Sequence, residues 1–186
     1  MINLHSFIEV SEVNGPGKRS VFWVQGCHFN CPGCRNQAAI KFENHQLINS
    51  EEAFLLIPIK DVEGVTFSGG EPFLQAEALI PLATLIKEAG LNLLIYSGYT
   101  REHLESSINP YHQQLLSLTD ILIDGLYRQH IPSRHPWAGS GNQKVHYLSD
   151  RAKLMNQADE VRQGEIHITN TGDIIYTGIF ENEDYL

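Results

Sequence analysis

The sequence predicts an α/β fold built on a parallel sheet, and two observations carry that expectation. Short β-rich apolar runs alternate with helical segments along most of the chain, the pattern of βαβ units. Two of those runs lead directly into motifs with chemical character, as expected of a sheet whose ligands collect beyond the carboxyl ends of its strands.

Ser20 to Gln25 reads as a buried strand that ends at Gly26 and delivers the chain to Cys27. A helix follows from Glu51 to Leu56, with Ser50 as its N-cap, acidic residues in its first turn and Pro58 as its stop. Gly64 to Phe67 is a second strand, running into Ser68-Gly69-Gly70-Glu71-Pro72. From Phe73 to Ala89 the apolar residues Ala78, Leu79, Leu82, Leu85, Ile86 and Ala89 recur at three and four, which is one helix face, and Gly90 closes it. Leu91 to Tyr96 is a third strand, Thr100 caps a helix from Arg101, a looser helix covers Tyr111 to Leu116, and Ile121 to Asp124 is a fourth strand. Two Pro and two Gly make His130 to Asn142 a long loop. Val145 to Leu148 reads as a strand and Ser149 to Asp159 as a helix. Glu165–Thr169 and Ile174–Thr177 alternate around Asn170-Thr171-Gly172-Asp173 as a hairpin. With no repeat or linker, residues 1–186 are expected to form one domain.

At 186 residues and 42% hydrophobic content the chain buries about two-thirds or more of its unfolded surface and needs no disulfide staple. Thirteen basic against 22 acidic side chains give a net charge of −9, with no basic stripe for nucleic acid. The absence of a long apolar run or leader-like start predicts a cytoplasmic protein without membrane contact. The three cysteines are too few and too clustered for a disulfide framework.

Cys27, Cys31 and Cys34 stand at C-x3-C-x2-C spacing, close enough for one loop to wrap a single inorganic centre of zinc or iron and sulfur. A closed site wants four protein ligands. His28 is poorly aimed beside Cys27, and His45 keeps a structural zinc site open as the alternative. Three ligands with one vacant position otherwise describe a centre that binds cofactor or substrate. In Ser68-Gly69-Gly70-Glu71-Pro72 the missing Cβ atoms let a ligand approach the backbone, and Glu71 offers a carboxylate to a cation or amine. Alone, such a turn is usually only a turn. Beside the cysteine loop it fits a cofactor with both an amine and a metal-ligating group.

Together these motifs resemble the radical S-adenosylmethionine superfamily. More narrowly, the chain is similar to activating enzymes of the anaerobic (class III) ribonucleotide reductases. The matching residues include Asn14-Gly15-Pro16-Gly17 with Arg19, Cys31-Pro32-Gly33-Cys34 with Asn36, Ser68-Gly69-Gly70-Glu71-Pro72, Gly98-Tyr99, Asp120 with Asp124-Gly125, and Gly139-Ser140 through Asn142-Gln143 to His146. The resemblance covers about residues 5 to 148 and leaves 149 to 186 as a C-terminal helix and hairpin extension.

It implies a partial (β/α) barrel and a 4Fe-4S cluster held by Cys27, Cys31 and Cys34, with S-adenosylmethionine on the fourth iron. It further implies that the backbone of Gly33, Cys34 and Arg35 touches the adenine. Gly69, Gly70 and Glu71 would meet the methionine amine, and Asp124 the ribose or methionyl end. Reductive cleavage of the cofactor would yield a 5′-deoxyadenosyl radical that takes hydrogen from a glycine of a partner enzyme, with a flavodoxin or ferredoxin-type protein as electron donor. No catalytic side chain is expected beyond the cluster and cofactor.

A radical enzyme acting on a small molecule or peptide side chain, and a non-catalytic metal module, are the competing expectations. Trp23 is read as core, Trp137 as a loop anchor or partner contact, and Asp120 as a capping or turn residue.

Overall fold

The structure is a computed structural model that describes residues 1–155, 164–168, 172 and 174–178. Its frame is a seven-stranded sheet ordered β3-β1-β2-β4-β5-β6-β7. The strands are β1 (Ile2–Ser11), β2 (Arg19–Val24), β3 (Gln46–Ile48), β4 (Gly64–Gly69), β5 (Asn92–Ser97), β6 (Ile121–Asp124) and β7 (Lys144–Tyr147). The four central strands, β2, β4, β5 and β6, run parallel, as expected. Both flanks are antiparallel: β1 lies on β2, β3 on β1, and β7 on β6.

The reading of the sequence missed β1 and β3. β1 alternates Ile2-Asn3-Leu4-His5 in the manner of a half-buried strand, but register shifts between Leu4 and Ser6 and between Ile8 and Ser11 break the period. β3 is three residues long and carries no periodic signal.

The helices are α1 (Ser50–Leu55), α2 (Ala76–Glu88), α3 (Arg101–Glu105), α4 (Pro110–Leu118) and α5 (Asp150–Leu154). Asn49 caps α1, one residue before the expected Ser50. Its Oδ1 accepts from the Glu52 N–H at 2.8 Å while the Glu52 carboxylate accepts from the Asn49 N–H, a reciprocal box that Ser50 is one position too late to form. A short 3-10 turn, Pro72–Gln75, replaces the expected first turn of α2, because Glu71 accepts from the Phe73 N–H and Pro72 has no N–H to donate. At its far end Gly90, at φ +78°, closes α2: the Gly90 N–H reaches the Lys87 carbonyl and the Leu91 N–H the Ile86 carbonyl. Thr100 and Ser149 cap α3 and α5. Of the expected C-terminal helix, residues 156–159 lie outside the described residues, as do 169–171 and 173 at the expected hairpin tip. The hairpin strands themselves are β8 (Gly164–Ile168) and β9 (Ile174–Gly178), paired antiparallel.

Strand alternation sorts the sheet into two faces. Phe22, Val24, Val65, Phe67, Leu93, Ile95 and Leu122 point to the helices, where α2 buries Leu79, Leu82, Ala83 and Ile86 against them. Burying each such Leu or Ile stabilises the fold by roughly 1.5–3 kcal/mol. The other face carries Val21, Trp23, Leu94, Ile121 and Ile123, and two segments outside the main sheet cover it. Trp137 and Ala138, from the irregular 125–143 segment, pack on Leu94, Ile121 and Ile123. Ile175 of β9 packs on Ile8, Val21 and Trp23.

Arg19 lies at the base of this second face and is fully buried, with no acidic partner among the described residues. It donates instead to Thr66 Oγ1, Asn92 Oδ1 and the carbonyls of Pro16 and Val65. Burial lowers its pKa to about 10.

Candidate active site

The parallel strands end on one edge, and their ends assemble the site. After β2 the chain turns through Gly26 into the cysteine loop. After β4, whose Val24↔Gly69 pairing puts it level with β2, it turns through Gly69-Gly70-Glu71. The two turns are stitched together: the Gly70 N–H donates to the Val24 carbonyl at 2.7 Å and the Glu71 N–H to the Gly26 carbonyl at 2.9 Å. A Cβ on Gly69 would stand 2.5 Å from the Val24 nitrogen. The glycines are therefore required by the neighbouring backbone, a structural demand that the sequence did not separate from room for a ligand.

The cysteine loop is held at both ends. Gly26 and Cys27 donate to the carbonyls of Ala39 and Ile40, and the Gln25 amide donates to the Lys41 carbonyl at 2.7 Å. Between them Asn30 and Gly33 adopt positive φ, which turns the chain back so that Cys27, Cys31 and Cys34 line the same cavity. Burial pushes the thiols of Cys27 and Cys34 up. His28 is exposed, with its ring against Phe29 and Tyr99. His45 has its ring tilted against that of His5 and does not line the cavity. Among the described residues no three His, Cys, Asp or Glu side chains converge on a single metal ion.

That cavity measures about 730 Å³, within the range of small-molecule sites. The three thiols and the Gly69-Gly70-Glu71 turn border it. Trp23, Tyr96 and Trp137 add aromatic surface, and Asn14, Gln129 and Gln143 add amides. Gly33 and Arg35 border it too, so eight of the nine expected metal and cofactor residues surround one space and only Asp124 stands apart. Asp124 is buried behind the wall. Its Oδ2 accepts from the Arg101 N–H at 2.6 Å and lies 3.1 Å from His146 Nε2, tying the end of β6 to α3 and β7. Asp120 serves as an anchor, accepting from the Leu93 N–H and pairing with Lys87.

Glu71 is 1% exposed and both its oxygens are engaged. Oε1 accepts from the Phe73 N–H at 3.0 Å and the Ser97 hydroxyl at 2.9 Å, and Oε2 accepts from the Gly98 N–H at 2.7 Å. Burial raises its pKa to about 7, against the opposing pull of these three donors. The carboxyl group thus fastens the end of β5 to the turn after β4.

Sequence reasoning did not single out Tyr96, Gln129, Tyr176 or Thr177 as cavity residues. The β5 alternation that exposes Leu94 to the second face also points Tyr96 there and would have found it. Gln129 comes from an irregular segment, and Tyr176 and Thr177 from a hairpin whose strand pattern was legible but whose seat beside the cavity was not.

A wall of three soft thiolates beside a cavity, in a chain with no fourth cysteine, suits an iron–sulfur centre with one iron open to a cofactor. The class follows from comparison as well: the family described as 4Fe-4S single cluster domain matches residues 13–146, and the chain is a member of it. Within that class it is 30% identical over 157 residues to the anaerobic ribonucleoside-triphosphate reductase-activating protein of Salmonella typhi, spanning 77% of this chain and 97% of that one. The chain belongs to the family of these activating proteins. It is also 33% identical over 132 residues to the pyruvate formate-lyase-activating enzyme of Clostridium pasteurianum, covering 67% of this chain and 56% of the longer relative. Among solved structures, QueE from Escherichia coli aligns with a TM-score of 0.42 at 16% identity, over 66% of this chain and 68% of that one. No helix among the described residues is long and apolar enough to cross a membrane.

Proposed function

We propose that this chain is a radical S-adenosylmethionine activase that installs a glycyl radical on anaerobic ribonucleoside-triphosphate reductase. The observation that carries the reading is the cavity at the strand ends, bordered on one side by Cys27, Cys31 and Cys34 and on another by Gly69-Gly70-Glu71. When bound, the 4Fe-4S cluster and S-adenosylmethionine supply one-electron cleavage of the sulfonium and a radical able to take hydrogen from a glycine α-carbon.

The chain's own residues bind, orient and shield. Cys27, Cys31 and Cys34 hold the cluster, and the backbone from Gly33 to Arg35 borders the adenine. The backbone of Gly69 and Gly70 receives the methionine amine, with Glu71 holding that turn to β5 from behind. Asp124 acts from the second rank, by fixing the turn into Gly125, which does line the cavity. Trp23, Tyr96 and Trp137 exclude water from the reacting atoms. We assign the electron to a flavodoxin or ferredoxin-type donor and the site of action to the cytoplasm, and we read residues 1–186 as one domain.

The test is anaerobic reconstitution with iron and sulfide, reduction with S-adenosylmethionine, and addition of the reductase. A glycyl radical doublet in electron paramagnetic resonance, with 5′-deoxyadenosine released, is the expected result. A protein that holds one zinc and makes no 5′-deoxyadenosine would overturn it. One observation favours a second reading, a radical enzyme acting on a small molecule: segment 125–143 and β9 wall the cavity from within the chain. Turnover of a small molecule without any partner would support that reading instead.

A further inference from the structure

The β8–β9 hairpin lies outside the residues matched by the cluster-domain family, which end at 146. It nevertheless contributes Tyr176, Thr177 and Gly178 to the cavity lining. Three contacts seat it on the main sheet. The Glu12 N–H donates to Glu165 Oε1 at 2.7 Å. Ile175 packs on Ile8, Val21 and Trp23. Thr177, 7% exposed, exchanges hydrogen bonds with Asn14: Asn14 Nδ2 donates to Thr177 Oγ1 at 2.8 Å, and the Thr177 hydroxyl donates to Asn14 Oδ1 at 3.1 Å.

Asn14 is itself fixed from beneath. Its Nδ2 also donates to Ser11 Oγ, its carbonyl accepts from the Thr66 hydroxyl at 2.8 Å, and Thr66 Oγ1 accepts from Arg19 Nε at 2.7 Å. A relay of buried polar groups thus runs from the Arg19 guanidinium through Thr66 and Asn14 to the hairpin. A buried hydroxyl and amide that satisfy each other hold one arrangement, because separating them without water leaves both unpaired.

We infer that the β8–β9 hairpin is a wall of the reaction chamber, closing it along β1 and β2, with Thr177 as the positioning residue that latches the wall through Asn14. The role assigned to the wall rests on the activase reading above. A radical formed in the cavity takes a hydrogen atom from whatever donor reaches it. With the β1–β2 side closed, the partner's glycine is the donor admitted. With that side open, a reductant or buffer molecule gives up its hydrogen atom instead, so 5′-deoxyadenosine is made without a glycyl radical.

The test compares cluster-loaded wild type with Thr177→Val, Thr177→Ser and Ile175→Ala. Thr177→Val keeps the side-chain shape and removes the hydroxyl, so the chamber opens about fivefold more often. Two readouts follow that opening. In a Trp137→Phe background Trp23 is the sole tryptophan, and its emission should become more quenchable by acrylamide in Thr177→Val and Ile175→Ala, with Thr177→Ser near wild type. With reductase present, 5′-deoxyadenosine formed per glycyl radical should rise in the same order. Unchanged quenching in both Thr177→Val and Ile175→Ala would overturn the wall. If wild type forms no glycyl radical on the reductase, the activase reading fails, while the quenching series still decides whether the hairpin closes the chamber.

Discussion

Gly70 and Gly26 meet backbone to backbone: a Cβ on Gly70 would lie 2.2 Å from the Gly26 carbonyl oxygen, one residue before Cys27. Gly70→Ala must therefore push the cysteine loop away from β4. The expected outcome is a chain that folds and loses cluster incorporation, read as cluster absorbance after reconstitution. Gly90→Ala is the control. Its Cβ meets nothing within 4 Å, so it costs only the left-handed backbone strain of about 1–2 kcal/mol and leaves the cluster intact.

Cys31 sits half-buried in the middle of the loop and no core cluster includes it. Cys31→Ala is expected to abolish cluster binding while the circular dichroism of the fold is preserved. Cluster absorbance equal to wild type would mean that the ligands are assigned wrongly.

Glu71 links stability to pH. Its folded pKa of about 7 lies above the ordinary 4.5, so the folded state holds the proton more tightly than the unfolded chain. Stability from this group is greatest below 4.5 and declines as pH rises toward 7, by roughly 3 kcal/mol over the window. Urea denaturation of metal-free wild type and Glu71→Gln should give a stability difference that shifts against wild type between these pH values. A pH-independent difference would show that Glu71 is ionised throughout.

Asp124→Ala leaves the part-buried Arg101 N–H without its acceptor and removes the carboxylate that lies 3.1 Å from His146 Nε2. The expected loss is about 1–3 kcal/mol of stability in denaturant melts. Affinity for S-adenosylmethionine, measured by calorimetry on protein that remains folded, is expected to change less than in Gly70→Ala. The reverse order would place Asp124 in direct contact with the cofactor.

The parallel strands and both chemical motifs were legible because each depends on local signals: β-rich runs, glycine at turns and cysteine spacing. β1 was hidden by its own irregularity, since the bulge after Leu4 interrupts the alternation a reader looks for. The N-cap of α1 was misplaced by one residue because Asn49 and Ser50 are both good caps, and only the reciprocal bond to Glu52 separates them. Glu71 was legible as part of the turn that borders the cavity, yet its partners Ser97 and Gly98, at and just past the end of β5, leave no trace in local sequence. Trp137, Gln129 and Thr177 reach the cavity from irregular or added segments, and their placement follows from tertiary packing alone.

The bonds from Gly70 to Val24 and from Glu71 to Gly26 extend the β2–β4 ladder past the ends of both strands. The cysteine loop and the Gly-Gly-Glu turn are therefore two arms of one hydrogen-bonded lattice, and neither amide of the turn is released unless the junction with β2 opens. In hydrogen-exchange terms they form one opening unit, so loosening either arm exposes the Gly70 and Glu71 amides together. Cluster loading, by fixing the cysteine arm, should slow exchange in a turn that contributes no thiolate.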